Sequence, residues 1–139
     1  MTRQQKYPDT AFFHFYNANK HNRFTSDCVI RAISTAAEID YNQVVLEMAV
    51  LQCKTGYDMS ENKLIDMYLS LKGWTKQKQP RKIDNTKYTG AEFCSSLAYR
   101  NKRYIANIGG HHIVAIVNAK VYDTWDSTDG CIGNYWTKD

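Results

Sequence analysis

What most constrains this chain is a change of period near Arg100. Before it, apolar residues recur at helical spacing; after it, they cluster in short strand-like runs. Ser26 or Asp27 can cap a helix whose Cys28, Val29, Ala32, Ile33, Ala36 and Ala37 fall on one stripe. Asp40 and Gln43 have the spacing of a capping box, which predicts a second helix with Val44, Val45, Met48 and Leu51 inward and Gly56 at its end. Met59 and Leu64 flank Ser60 as a hydrophobic staple would, opening a third helix that Gly73 stops. The run TGAE, Thr89 to Glu92, reads as another capping box, for a fourth helix through Phe93, Leu97 and Ala98.

Past Arg103 the runs RYIANI, HIVAIVN, VYDTW and CIGNYW have strand character. Gly109-Gly110 and the stretch Asn118 to Lys120 are short enough to be hairpin turns. Helices first and an antiparallel meander second predict an α+β fold, with N-terminal helices packed against one side of a C-terminal antiparallel sheet. The polar segment from Lys76 to Lys87 reads as irregular, and the aromatic run FFHFY, Phe12 to Tyr16, as a segment that packs onto the rest. A chain of 139 residues, 43% hydrophobic and with two prolines, suffices for one core, so a single domain over 1–139 is expected.

Composition removes several function classes. No run approaches the roughly 20 apolar residues of a membrane span, and MTRQQKYPDTAFF lacks the apolar core of a signal peptide. A cytoplasmic protein with no membrane partner is expected. Cys28, Cys53, Cys94 and Cys131 form no CxxC pair, and the adjacent His111 and His112 would point to opposite faces of a strand, so no metal site is expected. No glycine-rich phosphate loop suggests a nucleotide, and no cofactor is expected. The net charge of +4 is modest, and outside Lys76–Lys82 and Arg100–Arg103 the basic residues are scattered among acidic ones, which argues against nucleic acid.

The stretch TSDCVIRAIS, Thr25 to Ser34, sets Cys28 in the first turn of the first long helix. A cysteine attacks as its thiolate, and an ordinary thiol with pKa about 8.5 is mostly protonated at neutral pH. Helix-terminal amides and a nearby imidazolium both favour the anion. The strand half offers a histidine, His112, and acids on the following strand, Asp123 and Asp126. A carboxylate there can hold Nδ1 of the imidazole while the other ring nitrogen faces the sulfur. A three-residue loop from Asn118 to Lys120 would pair Val117 with Val121 and favour Asp126; a slip by one residue reverses the choice.

Asn22-x5-Cys28 at a helix start, with His112 heading a distant strand and an acid on the next, resembles the core of papain-like cysteine peptidases. DCVIRAIS with HHIVAIVNAKVYDTWDS resembles, more narrowly, small cysteine proteases of bacteriophages. The resemblance implies a papain-like core and a Cys28, His112, Asp123 triad, with HIVAI matching the family pattern from His112. It also implies an oxyanion hole from Asn22, standing where the family has glutamine, and the Cys28 amide. Asp123-Thr124-Trp125 is similar to the Asn-Ser-Trp of papain, so Trp125 would shield the third member. A thiol hydrolase acting on a peptide or isopeptide bond is then expected, its substrate a phage or host protein in a bacterial cytoplasm. An acyltransferase or transglutaminase-like enzyme on the same core would share the triad. A papain-like binding protein without turnover is favoured by Asn22 in place of glutamine.

Overall fold

Both faces of the central strands are buried, which explains why RYIANI and HIVAIV are apolar almost throughout. The computed structural model describes residues 1–139. In it, β3 (Arg103–Ile108) and β4 (His112–Val117) send Ile105, Ile113 and Ala115 into one core, and Tyr104, Ala106, Ile108, Val114 and Ile116 into another. Successive strand residues face opposite ways, so one pair of strands supplies both.

The larger core packs α2 (Cys28–Ala37), α3 (Tyr41–Thr55) and α4 (Asn62–Leu71) on the sheet through Ile33, Val44, Met48 and Leu64. The smaller one is closed by α5 (Gly90–Ser95), whose Phe93 stacks on Tyr99 and meets Tyr104 and Tyr135 edge-on. The second face of the sheet is therefore covered too, rather than only the side under the long helices.

The architecture is α+β, with five helices and a six-stranded mixed sheet ordered β1-β5-β4-β3-β6-β2. Here β5 is Lys120–Asp123, β6 Ile132–Thr137, β1 Phe13–Phe15 and β2 Thr75–Gln77; a short α1 covers Arg3–Lys6. The four C-terminal strands pair antiparallel as expected but do not form a meander, because β6 lies beside β3 rather than beside β5. Two edge strands depart from expectation. The aromatic N-terminal run adds β1 parallel to β5, and part of the segment expected to be irregular adds β2 beside β6. Each is three residues long, too short for a period to be read, and its partner lies far along the chain.

Helix ends follow local chemistry. Asp40 caps α3 by accepting from the amides of Asn42 and Gln43, and Gly56 closes it in the left-handed region. Thr89 and Glu92 form the full reciprocal box on α5. That helix stops at Ser95, because Ser96 turns extended while its amide closes onto the carbonyls of Glu92 and Phe93, and Leu97 is left exposed. Ser60 does not cap α4: its amide and hydroxyl are taken by Asp58, and the cap position falls on Glu61. No helix is long and apolar enough to cross a membrane.

Candidate active site

Cys28, His112 and Asp123 lie 84 and 11 residues apart in sequence, yet each stands at the end of an element: first in α2, first in β4 and last in β5. Two turns put them together. Gly109 and Gly110 have φ of 63° and 97°, and Ile108 pairs with His112, so the β3–β4 loop holds three residues and His111 belongs to the turn. His111 and His112 are thus parted by loop length rather than by alternation along a strand.

Asn118 and Ala119, with φ of 51° and 62°, form a two-residue turn that pairs Val117 with Lys120. Both central residues of such a turn are left-handed, which matches the twist of the flanking strands. The three-residue loop that would have favoured Asp126 does not form. The register that results sets Val121 against Ile116 and gives Asp123 the parity of His112. Parallel pairing with β1 fixes the same spot from the other side, since the Tyr16 amide donates to the Asp123 carbonyl at 2.8 Å.

The His112 Nε2 lies 2.5 Å from Asp123 Oδ2. This reverses the expected use of the ring: the carboxylate takes Nε2, which leaves Nδ1 as the nitrogen open to the sulfur. Asp123 is 1% exposed, and its Oδ1 accepts from the Thr124 amide and from Arg31, both at 2.7 Å. Burial pushes its carboxyl up, but His112 and Arg31 outweigh that and hold it below the ordinary carboxylate value. Trp125 lies against the imidazole, ring centroids 4.8 Å apart. Asp126 is not part of this group; its carboxylate binds the amide and hydroxyl of Thr128.

Asp27 occupies the N-cap position of α2 without a side-chain capping bond. Its carboxylate is engaged by Arg31, Asn19 and Tyr41 instead. The amides of Val29 and Ile30, which a capping side chain would take, have no partner in the fold, and neither has that of Cys28, so the positive end of the helix is left uncapped at the cysteine. Burial pushes the Cys28 thiol up, but His112 and the Ile113 amide beside it, with the charge of Arg31, bring it below its ordinary value. His112 answers in the opposite sense: burial lowers it, yet Asp123 and Cys28 raise it to about 9. Cys94 shows the contrast, since burial alone pushes that thiol up to about 12. All four cysteines are free, with Cys53 and Cys131 exposed.

Asn22 is not brought to the group. It is exposed, sits in a turn at φ 53° with its amide on the Asn19 carbonyl, and lines neither hollow beside Cys28. Those hollows share Cys28 and Ser60. One, of ≈ 360 Å³, is lined by Asn62, Lys63, Asn107 and His111; the other, of ≈ 420 Å³, by Phe24, Ser26, His112 and Trp125. No set of three or more His, Cys, Asp and Glu side chains is arranged to hold a metal ion.

Sequence reasoning missed Arg31, Asp27 in its present role, Asn19 and Tyr41. The available signal was Arg31 itself, a charged residue between Val29, Ile30, Ala32 and Ile33 and four residues after an aspartate. No family model, no curated protein and no solved structure matches this chain.

Proposed function

We propose that this chain is a thiol hydrolase with a papain-like core, cleaving a peptide or isopeptide bond through Cys28, His112 and Asp123. One observation carries the reading: a cysteine at a helix start without a side-chain cap shares a hollow with an imidazole that a buried carboxylate holds from behind. The hollows on either side of the sulfur fit an extended polypeptide passing across it.

The Cys28 thiolate attacks the scissile carbonyl carbon, forming a C–S bond and a tetrahedral oxyanion. The free amide of Cys28 is the donor at hand for that oxygen. As the oxyanion collapses, the C–N bond breaks and the imidazolium of His112 gives its proton to the leaving amine. Water then attacks the thioester, returns a proton to the imidazole, and the C–S bond breaks to restore the thiolate. Asp123 keeps the ring oriented throughout and stabilises its cationic form. The resemblance to phage proteins makes a phage or host bacterial protein the substrate, met in the bacterial cytoplasm.

A second reading, a papain-like binding protein without turnover, draws on the position of Asn22 away from the sulfur. A peptide library digested from a bacterial proteome separates the two. Wild type should cleave it and pass through a Cys28 acyl adduct visible by mass spectrometry, while Cys28→Ala, correctly folded, should lose turnover by at least about a thousandfold. Cleavage retained in Cys28→Ala, or neither cleavage nor adduct in the wild type, overturns the hydrolase. Transfer of the acyl group to added amine in preference to water would reassign it as an acyltransferase.

A further inference from the structure

The first helical turn of α2 carries Cys28 at one end and Arg31 at the other, and Arg31 is almost wholly buried. Its Nε donates to Asp27 Oδ1 at 2.8 Å and its Nη1 to Asp123 Oδ1 at 2.7 Å. The Asp27 carboxylate is pinned in turn through Oδ2, by the Tyr41 hydroxyl at 2.7 Å and the Asn19 amide at 3.0 Å. Side-chain exposure is 9% for Arg31, 10% for Asp27 and 1% for Asp123, so these contacts are shielded from water and little screened.

We propose that Arg31 is a positioning residue for the site: clamped by Asp27, it fixes the plane of the Asp123 carboxylate so that one oxygen is reserved for His112. The inference rests on the thiol-hydrolase reading and deepens it. A guanidinium presents donors in a rigid fork, so seating one edge on Asp27 and the other on Asp123 sets their mutual geometry. Because Arg31 rides on the helix that begins at Cys28, the nucleophile and the support of the histidine's partner move as one body. Arg31 also supplies the second positive charge that a buried Asp123 needs beside an imidazole that must release its proton during turnover. From His112, which lines the hollow with Cys28, the bonded chain through Asp123, Arg31 and Asp27 to Tyr41 is therefore continuous as far as α3.

A salt bridge that served stability alone would lower the melting temperature and move the site's titration only by the loss of its charge, which Arg31→Lys keeps. The test is the pH profile of Cys28 alkylation by iodoacetamide, resolved by site, in wild type, Arg31→Gln, Arg31→Lys and Asp27→Asn, below their melting temperatures. Arg31→Gln should lose at least about tenfold in Cys28 reactivity at mildly acid pH, with the midpoint moved up toward that of an ordinary thiol. Arg31→Lys restores the charge without the fork and should recover only part of the loss. Asp27→Asn loosens the clamp from its far end, retains the Arg31–Asp123 contact, and should shift the profile less but in the same direction, which keeps the inference testable if Arg31→Gln does not fold. The downfield proton of His112 Nε2 in the NMR spectrum should weaken in the same order. A depressed wild-type profile that Arg31→Gln, or Asp27→Asn in its stead, leaves superimposed overturns the role of Arg31 alone. An ordinary wild-type Cys28 profile overturns the site reading and this inference with it.

Discussion

At the scale of single residues, the site is a contest between desolvation and pairing. Cys94 is buried and Cys28 half-buried, so burial raises both thiols, yet they shift in opposite directions because Cys28 has an imidazole beside it. The same pairing links the site to stability. His112 is raised above its ordinary value of 6.5 to about 9, so its contribution to folding is complete below the ordinary value and is lost as pH rises through about 9. Asp123 is held down, so its contribution is complete above the ordinary carboxylate value and is lost as pH falls through its folded value. The melting temperature of wild type minus that of His112→Ala should therefore shrink as pH is raised from about 7 to about 10. A difference that stays flat across that range would contradict the pairing.

At the scale of elements, one turn decides which acid meets the histidine. The pattern around YDTWDS allowed Asp123 or Asp126, because a period of two cannot reveal where a strand begins its count. The register came from Asn118 and Ala119, and Ala119 adopts φ 62°, a conformation that a β-carbon disfavours by about 1 kcal/mol. Ala119→Gly should raise unfolding free energy by about 0.5 kcal/mol or more, read as a higher urea midpoint at unchanged slope. The methyl of Ala119 touches the smaller core, which limits the gain. A lower midpoint would show that this packing outweighs the strain. The capping signals at Asp40 and Thr89 were legible because they are local, whereas Ser60 was not a cap because Asp58, two residues away, took its donors first.

At the scale of the whole molecule, the α+β class and the four main strands could be read from the change of period, and Cys28 and His112 from their order along the chain, whereas Asp123 rested on the family resemblance. What lay beyond the sequence was long-range: the edge strands β1 and β2, the second buried face of the sheet, and the Arg31 network that links α2 to β5 across 92 residues. Asn22 was placed by spacing alone, and its left-handed turn carries it away from the sulfur. Each of these depends on which surfaces meet, which no local pattern encodes. The proposed thiolate–imidazolium pair between α2 and the sheet is read out by the rate of iodoacetamide alkylation at each cysteine against pH, in wild type and His112→Ala. Cys28 alone should react rapidly below pH about 7, and His112→Ala should move it back to an ordinary thiol profile; an ordinary thiol profile for Cys28 in both proteins would overturn the pair.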